Sequence, residues 1–108
     1  MRNAAERRAA LHYLLRGYRV LGTNVWAGGY ELDLVVRRGR TLVFCEVKSR
    51  ARAGYGGPLA AVGAEKRRRV RRAAEAWLVA HPECRGLVVR FDVVTELGGR
   101  LRRLPAAF

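Results

Sequence analysis

Residues 30–37 and 41–48 both alternate apolar and polar side chains and are rich in β-branched types. Arg38-Gly39-Arg40 lies between them, and the pattern predicts an antiparallel hairpin. Upstream, Asn3 is placed to cap a helix running to about residue 16, with Glu6 at the third helical position as a capping-box partner. Glu6, Ala9, Ala10 and Tyr13 share one face of that helix, and Leu11, Leu14 and Leu15 share another. Gly17 ends it, residues 18–24 predict a first strand, and residues 26–29 predict a loop into the hairpin. Residues 59–62 start a helical pattern that Gly63 interrupts. Residues 64–80 are helical throughout, with Val70, Ala73, Ala74, Trp77 and Leu78 as the buried stripe, and Pro82 stops them. Residues 87–95 predict another strand, and a turn at residues 97–100 leads into a last short strand before Pro105. The order αβββαββ predicts an α/β fold, a mixed β-sheet flanked by helices, in one domain spanning residues 1–108.

The composition narrows the setting. Half the residues are hydrophobic, which excludes disorder, while no apolar run reaches the length of a membrane span and no leader pattern opens the chain. A cytoplasmic protein is expected. Cys45 and Cys84 form neither a disulfide framework nor a metal-site spacing. A formal net charge of +13 predicts a polyanionic partner, nucleic acid first. Arginine supplies all of the cations except Lys48 and Lys66. Lysine is a compact point charge whose pKa can shift, so both are candidates for chemistry or phosphate contact.

Hairpin parity decides what the strand acids can do. Alternation puts Glu31, Asp33 and Val35 on one face, and Phe44, Glu46 and Lys48 likewise. A four-residue loop with Arg37 opposite Leu42 sets Asp33 opposite Glu46; a two-residue turn at Arg38-Gly39 leaves them diagonal on the same face. Two carboxylates side by side in an apolar sheet need a cation. Lys48, about 6.6 Å further along the same face, is one candidate, and a bound metal ion is the other.

These residues carry a resemblance. Asp33 followed by Glu46-Val47-Lys48 resembles the signature of the PD-(D/E)XK nuclease superfamily, the restriction-endonuclease-like fold. Glu6 ahead of Gly17-Tyr18, then Glu31-Leu32-Asp33-Leu34, Glu46-Val47-Lys48-Ser49-Arg50, Tyr55-Gly56-Gly57-Pro58, Ala61-Val62, Lys66 and Arg90-Phe91-Asp92-Val93-Val94 follow the YraN-like family in order and spacing. That family is distantly similar to archaeal Holliday-junction resolvases. The resemblance implies a restriction-endonuclease-like core and hydrolysis of phosphodiester bonds in branched or damaged DNA, with DNA ahead of RNA. It implies magnesium, or manganese in its place, held by Asp33, Glu46, the backbone carbonyl of Val47 and Glu6. It also implies Lys48 as the residue that positions or deprotonates water or steadies the phosphate, and Glu31 as a supporting acid; a homodimer is compatible with it. YraN-like proteins usually carry arginine near position 26 and glycine just before Glu31. Here Trp26 and Tyr30 stand instead, so a phosphate contact is lost or replaced by aromatic stacking.

Around the acids, the glycine-rich basic stretch at residues 49–58 has the composition of a loop that wraps a nucleic-acid backbone, with Arg50, Arg52 and Tyr55 as contacts. Lys66 falls on the core side of its helix at the first turn, from where it reaches toward phosphate or snorkels outward. Asp92, amid apolar neighbours, reads as a structural hydrogen-bonding or ion-pairing residue. Three functions compete: a metal-dependent endonuclease, a non-catalytic nucleic-acid-binding module of the same fold, and a basic accessory protein of a ribonucleoprotein whose strand acids are salt-bridged core.

Overall fold

Asn3 starts the first helix as its side-chain chemistry predicts: its Oδ1 accepts the backbone N–H of Glu6 at 2.9 Å. The computed structural model describes residues 3–50 and 63–108. Helix α1 spans Ala4–Leu14, two residues short of the expected end, and Gly17 with φ of 85° turns the chain toward the sheet. Then come β1 (Arg19–Ala27), β2 (Tyr30–Arg38), β3 (Thr41–Arg50), α2 (Ala64–Ala80), a 3-10 turn at Pro82–Cys84, β4 (Val88–Leu97) and β5 (Arg100–Leu104). The mixed α/β architecture and the order αβββαββ are those expected. Among the described residues no helix is long and apolar enough to cross a membrane. The expected helical start at residues 59–62 lies outside the described residues.

The five strands form one sheet in the order β1-β2-β3-β4-β5. All neighbours are antiparallel except β3 and β4, which are parallel and joined through α2, as parallel neighbours need a crossover. One correction concerns β1. It runs on through Trp26 and Ala27, expected as loop, because Ala27 pairs with Tyr30 and a two-residue turn, Gly28-Gly29, suffices. Both glycines have positive φ, 55° and 79°, the geometry that matches the twist of a tight hairpin. Gly28 also touches α2: a Cβ there would lie 3.0 Å from the carbonyl oxygen of Arg72 and 3.1 Å from the Cα of Ala73.

The sheet is covered on both faces. Ala9, Ala10 and Tyr13 of α1 pack with Leu34, Val36, Val43 and Cys45. Val70, Ala73, Ala74 and Trp77 of α2 pack with Leu32, Val35, Leu42 and Phe44, and Phe44 meets Trp77 edge to face. The small alanines of α1 let that helix sit close to the sheet, and Leu11, Leu14 and Leu15 stay largely exposed. Asp92 is fully buried and structural. Arg90 grips it with two nitrogens at 2.8 and 2.9 Å, Tyr13 donates its hydroxyl at 2.7 Å, and the N–H of Ala106 donates at 3.0 Å. These bonds tie the first helix, the fourth strand and the C-terminal segment together around one carboxylate.

Candidate active site at the split between β2 and β3

Arg37 pairs with Leu42, the register expected for a four-residue loop, but Arg38 and Thr41 also pair, so the turn is the two residues Gly39-Arg40. The ladder between β2 and β3 stops at Leu34 and Cys45. Strand β3 nevertheless stays bonded to β4 as far as Arg50 and Leu97. The sheet therefore splits, and Asp33 and Glu46 stand directly across the mouth of the split.

The contacts in the split explain why pairing ends there. Continued by two residues, the register would set Val47 against Leu32. Instead the N–H of Val47 donates to Oδ2 of Asp33 at 2.8 Å. A side chain has taken the place of a main-chain carbonyl. Since N–H and C=O of one strand residue point to the same side, the Val47 carbonyl also turns toward the split. The N–H of Asp33 makes a long contact of 3.5 Å to Oε2 of Glu46, and the Tyr30 hydroxyl donates to Oε1 of Glu46 at 3.2 Å.

Electrostatics mark the pair. Glu46 is 1% exposed. Burial, and then the charge of Asp33, push its carboxyl up to about 8. Asp33 is also raised, by burial first; the Val47 N–H and Lys48 oppose the rise, and Glu6 and Glu31 add to it. Burial also raises Tyr30, with Glu46 adding to the effect. The structure thus gathers Glu6, Glu31, Asp33, Glu46 and Lys48 into one electrostatic neighbourhood.

Glu31 requires a correction. Alternation would place it on one face with Asp33 and Val35, but Leu32 and Val35 both pack in the α2 layer while Leu34 packs in the α1 layer. The strand changes face at Asp33. The cause lies across the sheet in Asn24, which sits between the Thr23–Leu34 and Val25–Leu32 pairs with φ of 51°. Its left-handed backbone breaks the alternation of β1, and β2 follows. Glu31 consequently shares a donor with Glu6: Nδ2 of Asn24 donates to Oε2 of Glu6 at 3.1 Å and to Oε1 of Glu31 at 3.3 Å. Sequence reasoning missed Asn24. An asparagine mid-strand is depleted in sheets, and that was the one signal available.

The remaining candidates are spread more widely. Trp26, at the end of β1 opposite Glu31, is 71% exposed. Lys66 is half-buried in the first turn of α2, and Arg69 of the same helix acts on Tyr30. Arg50 closes β3 by its backbone alone, and Arg52 and Tyr55 lie outside the described residues.

Among the described residues no three His, Cys, Asp or Glu side chains cluster tightly enough to enclose a metal ion. The donor set suits a different kind of site. Magnesium keeps several waters and takes only one or two carboxylates, without a protein cage. Two hard carboxylates that resist joint ionisation, next to a strand carbonyl, fit such an ion.

Comparison with known proteins gives the lineage. A protein of Methylorubrum extorquens (strain PA1), named UPF0102 protein, is 48% identical over 106 residues, covering 97% of this chain and 81% of the relative. UPF0102 proteins of Alkalilimnicola ehrlichii and Dechloromonas aromatica are 43% and 42% identical over 98% and 96% of this chain, and 84% of each relative is covered. The sequence profile of the Uncharacterised protein family UPF0102 matches residues 5–95. The chain belongs to that family, the YraN-like proteins whose spacing of acids and lysine it carries.

Proposed function

We propose that this protein is a metal-dependent endonuclease of the PD-(D/E)XK type, hydrolysing phosphodiester bonds in branched or damaged nucleic acid, with DNA ahead of RNA. The observation that carries the reading is the split: Asp33 and Glu46 face each other where β2 leaves β3, within the field of Lys48. A net charge of +13 supports a polyanionic substrate.

Asp33 commits Oδ2 to the Val47 N–H, so Oδ1 is its donor for a cation. Oxygens of Glu46 and the Val47 carbonyl complete the protein's share, with Glu6 at the rim. A divalent ion held there, magnesium or manganese, supplies an acidified water and neutralises phosphate charge. Tyr30 fixes the Glu46 carboxyl through its hydroxyl, so less reorganisation is needed when phosphate arrives. Lys48 adds a compact positive charge beside the two acids. In that position it orients the attacking water or offsets charge growing on the phosphate oxygens. Glu31 tunes the field from the other side of Asp33. Exposed Trp26 offers a stacking surface, and Arg50, Arg52, Tyr55 and Lys66 are the expected backbone contacts.

A non-catalytic nucleic-acid-binding module is the second reading. It is favoured by the internal partners that Asp33 and Glu46 already have in Val47 and Tyr30. Cleavage assays in magnesium and manganese over linear, flapped and four-way DNA, with RNA counterparts, separate the two. Asp33→Asn should abolish cleavage while metal-free binding holds or tightens modestly, since one carboxylate no longer repels phosphate. Lys48→Ala should lose cleavage while retaining metal binding. Wild-type protein that binds the whole panel and cuts none of it would move the assignment to the binding module.

A further inference from the structure

Asn24 and Ala106 are the non-glycine residues with positive φ among the described residues, and Asn24 lies in mid-strand opposite Asp33. Asparagine tolerates the left-handed region better than most side chains, yet the conformation still carries a steric cost. Strain of this kind persists where the surroundings impose it, and it gathers at functional sites. Here the backbone twist coincides with a side-chain arrangement that no other residue type supplies as well. One amide nitrogen carries two N–H donors, and they go to two different carboxylates, Glu6 on α1 and Glu31 on β2. Carboxylates brought together beside Asp33 repel one another. A lysine or arginine between them would hold them but would cancel part of the negative field. A neutral double donor fixes both and leaves their charge in place.

Resting on the endonuclease reading, we propose that Asn24 is a positioning residue whose amide clamps Glu6 and Glu31 beside Asp33, presetting the acidic rim against which a divalent ion is held. The clamp joins three elements that share no other purpose at this point: the first helix, the first strand and the second strand. Neighbouring Thr23 and Val25 keep their pairing with Leu34 and Leu32, so the register holds on either side while the faces switch.

Three variants test this on the full chain. Asn24→Gly keeps the left-handed backbone at no steric cost and deletes only the amide. Asn24→Ala deletes the amide and adds backbone strain. Glu6→Ala removes one clamped acid. Manganese affinity is measured by titration, cleavage by kcat and KM, and stability by thermal unfolding. Asn24→Gly should unfold near the wild-type temperature yet bind manganese about tenfold more weakly, the usual cost of losing a group that orients metal ligands. Its kcat should fall by about tenfold or more with KM for DNA unchanged. Asn24→Ala should show the same losses and unfold earlier. The double variant Asn24→Gly/Glu6→Ala should lose less than the sum of the two single losses, since both singles disturb Glu6 and only the Glu31 arm of the clamp is separate. Wild-type manganese affinity in Asn24→Gly, or additive losses in the double variant, overturns the proposal and leaves the endonuclease reading standing. Wild-type protein that binds manganese but cuts nothing removes the endonuclease reading, and the affinities alone then decide the role of Asn24. Wild-type protein that binds no manganese removes both.

Discussion

Glu46 carries the sharpest consequence at the scale of single residues. Its carboxyl sits near 8 in the fold against 4.5 as the unperturbed value, so the folded state holds a proton that the unfolded chain releases across that window. Unfolding is then favoured by rising pH: the group leaves stability untouched below about 4.5 and withdraws it progressively up to about 8. Asp33 is shifted the same way and adds to the slope. Metal-free protein should therefore lose on the order of a few kcal/mol of stability between mildly acidic and mildly alkaline conditions. Glu46→Gln should flatten that profile and raise stability at the alkaline end, and millimolar magnesium should do the same to the wild type, because a bound cation reverses the cost of ionisation. Urea unfolding at stepped pH, with and without magnesium, measures both. A profile that rises with pH in the metal-free wild type would contradict the buried acid pair.

At the scale of elements, the Gly28-Gly29 turn sets how far the β1–β2 hairpin leans on α2. Both glycines have positive φ, but a Cβ on Gly28 meets the backbone of Arg72 and Ala73, whereas one on Gly29 meets nothing within 4 Å. Gly29→Ala should cost about 1 kcal/mol, the price of left-handed backbone alone. Gly28→Ala should cost more, and it should also move Tyr30, two residues on, and with it the hydroxyl that holds Glu46. Chemical denaturation of the two variants side by side reads the difference; equal losses would mean the turn does not bear on α2. The same hairpin shows how much was legible beforehand. Helix α2 and the β2–β3 register follow from periodicity and loop parity, because an apolar stripe and a turn are local signals. That Asp33 and Glu46 end up opposite each other is a consequence of that register. The change of face at Asp33 was not legible. It comes from Asn24, nine residues earlier, and from a side-chain carboxylate displacing a ladder bond, neither of which alternation encodes. Nor does sequence alone show that β4 lies parallel beside β3, since long-range pairing leaves no mark in a local pattern.

At the scale of the whole molecule, four of the nine acids are buried, whereas among the described side chains no arginine is. Glu6, Glu46, Asp92 and Glu96 are buried, while Arg68, Arg69, Arg71 and Arg72 project from α2. Glu65 draws on Arg68 and Arg69 at 2.7 and 3.2 Å, but these are exposed pairs of small worth that a phosphate backbone can displace. Binding to nucleic acid should consequently be governed by counterion release, with log K falling linearly and steeply with log salt. Each phosphate contact contributes about 0.9 to the slope on duplex DNA and about 0.7 on single strands. Replacing Arg50 and Arg52 together by alanine should flatten the slope by up to about two contacts, because in the sequence they follow closely on Glu46 and Lys48. Replacing Arg71 and Arg72 serves as the comparison, since these lie on the exposed side of α2. Fluorescence anisotropy across a salt series, in the absence of divalent ions, gives both slopes. If only the α2 pair changes the slope, the nucleic acid lies along that helix, and the split between β2 and β3 is not where the phosphate backbone is held.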